Sequence, residues 1–369
     1  MIGYCTNVHA GETLDEVVTN IRTYCAAVQQ EVGESIELGL WLSNNAVFNG
    51  DPAKLKDCLL EHNLTVGSFN GFPFGDFHRG VVQHDVYEPT WCDERRLAYT
   101  KQLASLLAEL LPANKSGGIS TLPLGWAEGW DQDQLAACML MQCVDFLEEL
   151  EQKTGRCIHI DIEPEPGCRL QTSLDLSRFV QEQFDDEERI RRYLRVCYDT
   201  CHAAVMREDP MRAIDNYVQA GLKIGKVQLS SAVDVNFDVL NGDEKKLAVA
   251  ALRSLAEPRY LHQTTVVVNG DILFFENLSS APLENPVGHW RVHFHVPIHK
   301  KTIGPLGTTQ DDLRISIPLL FPSGETIWEV ETYTWSVMPK PFREEALVGS
   351  IASELRWANT QLQQVGSDA

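Results

Sequence analysis

From residue 2 to residue 230 short apolar runs alternate with amphipathic stretches, and that rhythm restricts the chain to a parallel α/β fold. The runs Ile2 to His9, Ile36 to Leu42, Thr65 to Phe72, Gly118 to Leu124, Cys157 to Glu163, Arg195 to His202 and Lys223 to Ser230 read as strands. Between them, helices are expected at Thr13 to Glu31, Asp51 to His62, Asp93 to Leu111, Gln132 to Gln152, Ser173 to Arg192 and Pro210 to Ala220. The rhythm then breaks. An eighth strand is recognisable only at Ile327 to Thr332, before an amphipathic helix from Phe342 to about Leu362 and a frayed end from Gln361 to Ala369. Eight βα units predict an α/β TIM (β/α)8 barrel, residues 1–369 forming one domain with a large insertion between strands seven and eight.

The insertion spans 233–305. It holds a helical stretch at Glu244 to Leu255 and a hairpin in which Thr265 to Val268 and Ile272 to Phe275 flank the turn Asn269-Gly270. A connection after strand seven emerges at the barrel mouth, so it is expected to wall the site and carry His262, His293 and His295 toward it. Edge-to-edge pairing of the hairpin with a second chain is the competing expectation.

Composition narrows the function classes. With 52 acidic against 31 basic residues the formal charge is −21, which repels phosphate polyanions, so nucleic acid is not expected as a partner. No apolar run of about 20 residues is present, so no membrane insertion is expected. The N-terminus lacks the pattern of a secretory signal, and the ten cysteines are dispersed without CxxC spacing. Reduced, buried thiols and a cytoplasmic location follow as expectations. Cys201, between Asp199 and His202, is read as a packing residue.

Polar residues collect at the strand ends. In the fifth strand His159, Asp161 and Glu163 share one face while Ile158, Ile160 and Ile162 face the helices, so a polar row points into the barrel and needs partners or a metal. Glu163 is the working carboxylate by direction; Glu165, beyond the strand between two prolines, is the alternative. Asp199 and His202 close the sixth strand, although a helix N-cap Asp beside a satisfied His explains the same spacing. Gln228 ends strand seven. His293 and His295 alternate so that both rings face one side, and Glu329 and Glu331 share a face of the last strand, Glu331 nearer the mouth. His9, at the end of strand one, is expected to face substrate.

Taken together, IEPEPG, DTCH, the polar end of strand seven, HxH and the strand-eight ET resemble the xylose isomerase-like TIM-barrel superfamily, which includes sugar epimerases and abasic-site endonucleases. More narrowly, GYCTNVHAGE, Asn70-Gly71-Phe72-Pro73-Phe74-Gly75, the block Glu257 to Gln263 and WEVETYTW resemble the EboE family of metabolite traffic proteins from ebo clusters. The superfamily resemblance implies a divalent ion, manganese, zinc or magnesium, on Glu163, Asp199 and Glu331. Gln228 stands where that family usually has histidine, so Gln228 or His295 completes the set. It further implies Glu163 and Glu331 as the acid/base pair of a sugar isomerase or epimerase, with His202 contacting substrate or a second metal and His9, His293, His262 and Glu165 facing a small-molecule metabolite. The narrower resemblance implies a link to other ebo-cluster proteins and to export of secondary-metabolite precursors. A non-catalytic binding module and a metal-dependent phosphodiesterase are the alternatives; for the second, the early histidines have no counterparts here.

Overall fold

A computed structural model describes residues 2–112, 115–185, 187–321 and 325–368. Eight parallel strands close into a barrel: β1 (Gly3–Cys5), β2 (Glu37–Trp41), β3 (Thr65–Asn70), β4 (Gly117–Thr121), β5 (Ile158–Ile162), β6 (Leu194–Asp199), β7 (Ile224–Leu229) and, after the insertion, β14 (Ile327–Val330), which lies between β7 and β1. The expected TIM barrel is the observed fold. Helices connect the strands, and local chemistry sets where they start: Thr13 and Thr172 each form a capping box with the acid three residues on, and Pro52 and Pro210 occupy first-turn positions after aspartate caps.

The insertion builds a second sheet. Its strands are β8 (Val233–Asn236), β9 (Thr264–Val268), β10 (Asp271–Phe275), β11 (His289–Val292), β12 (Thr302–Ile303) and β13 (Leu306–Thr308), in the order β10-β9-β11-β8-β13-β12. The hairpin pairs Asp271 with Val268 across the Asn269-Gly270 turn, where both residues have positive φ. The added sheet buries its own core, including Val235, Phe237, Leu252, Trp290, Val292 and Phe294. It extends to Thr308, past the boundary expected at 305, because Thr308 and Gly307 pair with Val233 and Asp234. The helix Gln310–Leu320 then restores the barrel rhythm.

Two other expectations are corrected. The last helix runs Leu347–Asp368, so the chain does not fray at Gln361; its apolar face packs on the barrel through Ile351, Leu355 and Ala358. Strand six stops at Asp199, and His202 stands on a short helix, Thr200–Val205, because the Asp199 side chain accepts from the His202 amide and caps it.

The barrel interior below the mouth is polar. His159 Nδ1 lies 2.7 Å from Asp161 Oδ1, and Lys226 Nζ lies 2.9 Å from Glu329 Oε2, all four residues sealed from solvent. Glycines make the room: a Cβ at Gly39 would sit 2.0 Å from Glu329 Oε2, and one at Gly225 would sit 2.0 Å from Asp161 Oδ1. This layer fixes the strands directly beneath the candidate site.

Candidate metal and substrate site

Four strand ends meet at the mouth. Glu163 follows β5, Asp199 ends β6, Gln228 lies in β7 and Glu331 follows β14; each is at most 4% exposed. The three carboxylates each offer an oxygen within 4.8 Å of the others. Gln228 Nε2 bridges them, at 2.9 Å from Glu163 Oε1, 3.0 Å from Asp199 Oδ2 and in contact with Glu331 Oε2. Its amide oxygen is buried with no hydrogen-bond partner, as is Glu163 Oε2. Half a turn of that amide would exchange nitrogen for oxygen among the carboxylates and complete an all-oxygen donor set. By donor chemistry the residues fit a divalent cation.

Electrostatics point the same way. Burial, with the Glu331 and Asp199 charges next, raises Glu163 well above the ordinary carboxylate range. Burial and Asp199 likewise push Glu331 up to about 8. Asp199 is also driven up by burial, but His202, His295, the Ser230 hydroxyl and the His202 amide outweigh it and hold this carboxyl down. One ionised and two protonated acids are what three clustered carboxyls adopt without a cation.

Sequence reasoning missed the residues that hold this cluster in place. Asn7 and Asn70 both donate to Glu331 Oε1, and Ser230 Oγ donates to Asp199 Oδ1 at 2.6 Å. Asn7 is on a single turn, Thr6–Val8, following β1, and a strand reading through His9 hid it. Asn70 does end a strand, and that position was the available signal.

Above the carboxylates lies a second group. His202 and His293 approach edge to face with centroids 4.6 Å apart, and His295 lies 5.2 Å from His293. Both inserted histidines follow β11, outside its pairing. Burial and neighbouring imidazoles lower His293 well below the usual histidine value; burial takes His295 down to about 4, despite Asp199. Both are neutral ligands or acceptors at pH 7. Glu165 faces this group, not the carboxylates, and accepts from Tyr87 Oη at 2.7 Å. Cys201 packs against Val205 and Ala232 as expected.

Two predicted site residues are elsewhere. His9 stacks on Tyr24, with centroids 4.5 Å apart, and reaches Tyr4 Oη, because the turn after β1 directs it into the helix layer. His262 is fully buried behind the site, Nδ1 at 3.0 Å from His293 O and Nε2 at 3.2 Å from Glu257, so it supports the histidine segment without lining the cleft.

A narrow cleft of about 70 Å³ lies over both groups. Tyr260, Leu261, His293 and His295 bring the insertion to its wall, facing Phe72, Phe77 and Tyr87; the outer hairpin strand β10 does not reach it. No Arg or Lys lines it among the described residues.

Solved structures carry the same architecture. One is a xylose isomerase-like TIM barrel protein from Mycobacterium smegmatis in complex with magnesium: 10% identity, 99% of this chain and 97% of that chain covered, TM-score 0.56. The fold shared with it is a TIM barrel. The IOLI protein with a bound zinc atom is 9% identical over 99% of this chain and 98% of its own, with a TM-score of 0.50. A xylose isomerase-like TIM barrel/4-hydroxyphenylpyruvate dioxygenase fusion protein is 15% identical; the match covers 99% of this chain and 43% of that one, with a TM-score of 0.51. No protein-family model and no curated protein matches the chain. No described helix is long and apolar enough to cross a membrane.

Proposed function

We propose that the protein is a metal-dependent isomerase or epimerase of a small polyhydroxylated metabolite. The observation that carries this reading is the meeting of Glu163, Asp199 and Glu331 around Gln228 at the mouth of a barrel. Glu163, Asp199 and Glu331 would hold a divalent ion, with Gln228 through its oxygen, or His295, as the fourth donor. Magnesium or manganese suits the oxygen set, and zinc suits a set that includes His295. When bound, such an ion supplies positive charge to a substrate carbonyl and hydroxyl.

The chain's own groups do the rest. Burial raises both Glu163 and Glu331, the latter to about 8, which suits them to hold and pass a proton. One takes the proton from the carbon beside the carbonyl, and that C–H electron pair becomes the double bond of an enediol as the carbonyl oxygen gains the charge. In isomerisation the same glutamate gives that proton to the neighbouring carbon while the adjacent hydroxyl passes its proton to the former carbonyl oxygen; in epimerisation the other glutamate, carrying a proton taken from solvent, delivers it to the opposite face of the same carbon and the first releases its own to solvent. Asn7 and Asn70 orient Glu331, and the aromatic wall excludes water.

A non-catalytic binding module is the second reading, favoured by the Gln228 amide nitrogen, which contacts all three carboxylates where an ion would sit. The resemblance to ebo-cluster proteins supports a place in metabolite traffic, and an acidic cleft without basic side chains argues against nucleic acid or a phosphomonoester as ligand. Ten unpaired cysteines accord with a cytoplasmic location.

The deciding experiment combines elemental analysis with proton exchange. Protein purified without chelator should carry one ion at this cluster, and sugars incubated with it in deuterium oxide should take up deuterium beside the carbonyl. A folded protein that holds no manganese, zinc or magnesium after incubation removes the ligand assignment. Metal without exchange across a panel of free sugars favours the binding module.

A further inference from the structure

The cleft presents hydrogen-bond acceptors almost alone. His202 Nδ1 lies 2.9 Å from the Pro164 carbonyl oxygen and His295 Nδ1 lies 3.1 Å from that of Glu331, so each ring donates there and keeps a lone pair on Nε2. His293 does the same. Its Nδ1 is 2.7 Å from Gln263 Oε1, and that amide is fixed by its nitrogen, which faces two acceptors, Pro166 O at 3.1 Å and Glu165 Oε1 at 3.2 Å. Asn7 turns its amide nitrogen to Glu331, which leaves it Oδ1. His295 Nε2 and Asn7 Oδ1 are buried without a hydrogen-bond partner, on side chains that line the cleft and belong to residues 0% and 3% exposed. Glu165 accepts from Tyr87 Oη at 2.7 Å and from Gln263 on one oxygen, which leaves the other for a ligand. Donors in the lining are turned elsewhere: Tyr87 to Glu165, Asn70 to Glu331 and Gln83 to the Pro258 carbonyl.

Charge is out of balance in the same sense. Four carboxyl groups, Glu163, Glu165, Asp199 and Glu331, meet in or under the cleft, and one divalent ion cancels two of their charges. Lys226 below is matched by Glu329. Burial raises the Glu165 carboxyl although His202, Tyr87 and Gln263 oppose it, so a cation beside it favours the ionised form. Phe77, Tyr260 and Tyr333 line the cleft, the two tyrosines with centroids 5.2 Å apart, and aromatic faces attract cations. A sugar hydroxyl donates once and also needs a donor of its own; an ammonium group donates three times, accepts nothing and brings the missing charge.

We propose that the cleft takes a cationic ligand, a polyhydroxylated primary amine whose ammonium group meets Glu165 and the acceptors around it. The inference deepens the proposed function and rests on it for the cleft as the place where the metabolite binds. A proton held between His202 and His293, whose Nε2 atoms stand 3.2 Å apart, is the competing way to relieve the excess of acceptors.

Isothermal calorimetry at pH 7 on protein purified without chelator tests it with matched pairs, D-glucamine against D-sorbitol and D-glucosamine against D-glucose, and with D-gluconate as the anion. Each amine should bind about tenfold or more tighter than its hydroxyl counterpart, the scale of hydrogen bonds to a charged group, and gluconate should bind weakest. Glu165→Gln should cut the affinity for glucamine severalfold more than that for sorbitol. Equal affinity within both pairs, tighter binding of gluconate, or binding by no member of the panel overturns the proposal, as does an amine preference that Glu165→Gln leaves intact. The comparison in the unaltered protein holds even if Glu165→Gln fails to fold. The two readings fail separately: an amine preference without deuterium uptake by any sugar removes the isomerase and keeps the cationic ligand, whereas uptake by neutral sugars without an amine preference does the reverse.

Discussion

Ser230 Oγ donates to Asp199 Oδ1 at 2.6 Å, and the same oxygen of Asp199 accepts the His202 amide at 2.9 Å. One carboxylate oxygen is thus spent on capping a helix, which leaves Oδ2 for Gln228 and a cation. Ser230→Ala should therefore weaken divalent-ion binding at the carboxylate cluster about 10–100-fold, the usual effect of removing a group that orients a ligand. Asp199→Asn should abolish it. Competition against a fluorescent chelator measures both; an unchanged affinity in Ser230→Ala would separate Asp199 from the metal.

Metal binding should be proton-linked in a definite direction. Glu331 stands at about 8 and Glu163 well above its ordinary value, both chiefly through burial, so at pH 7 each tends to keep its proton. A cation must displace those protons, and apparent affinity for magnesium or manganese should rise with pH up to about 8 before levelling. Without metal the sign for stability is opposite: acids raised in the folded state destabilise it progressively as pH climbs from 4.5 through 8. Calorimetry in two buffers of different ionisation enthalpy reports the released protons. An affinity independent of pH between 6 and 9 would contradict the arrangement.

Glu354 ties the last helix to the segment carrying His295. Its Oε2 accepts from Ile298 N at 3.1 Å and Thr332 Oγ1 at 2.7 Å, and burial, with Glu345 adding to it, raises its carboxyl to about 7 against those two hydrogen bonds. Folded protein therefore binds the proton more tightly than unfolded chain, and stability should fall as pH rises from about 4.5 to 7. The shift corresponds to about 3 kcal/mol. Glu354→Gln should remove this fall and melt higher than wild type at pH 8. Equal pH dependence of the two melting curves would show that the carboxyl is already ionised at low pH.

The barrel was legible because its signal is periodic: seven strands with helices between them are complete by residue 230, and a run such as that of Ile158, Ile160 and Ile162 places branched residues toward the helices. Glu163, Asp199, Gln228 and Glu331 were legible because parity and strand ends predict convergence without needing the loops. His9 and His262 misled for one reason. Each lies in chain that leaves its strand direction, His9 after a tight turn and His262 before β9, so alternation no longer tells where the ring points. Gln263 was invisible because its role comes from Tyr87, Glu165 and His293, partners far apart in sequence.

Beneath the site, Lys226 and Glu329 meet at 2.9 Å with 0% and 1% of their side chains exposed. Removing one partner of such a pair leaves a buried charge and costs about 3–5 kcal/mol, whereas replacing both with apolar groups of similar volume costs far less. Lys226→Met should lose stability on that scale, and Lys226→Met with Glu329→Leu should recover most of it in chemical denaturation. The pair also reaches the site above. The Lys226 charge works against the upward shifts of Glu163 and Glu331, so its removal should make both hold their protons more tightly. In any folded variant lacking Lys226, the pH at which metal binding saturates should move upward from about 8. If single and double variants unfold alike and the metal-binding profile stays in place, the lysine is a passive filler of the barrel and exerts no field on the carboxylates.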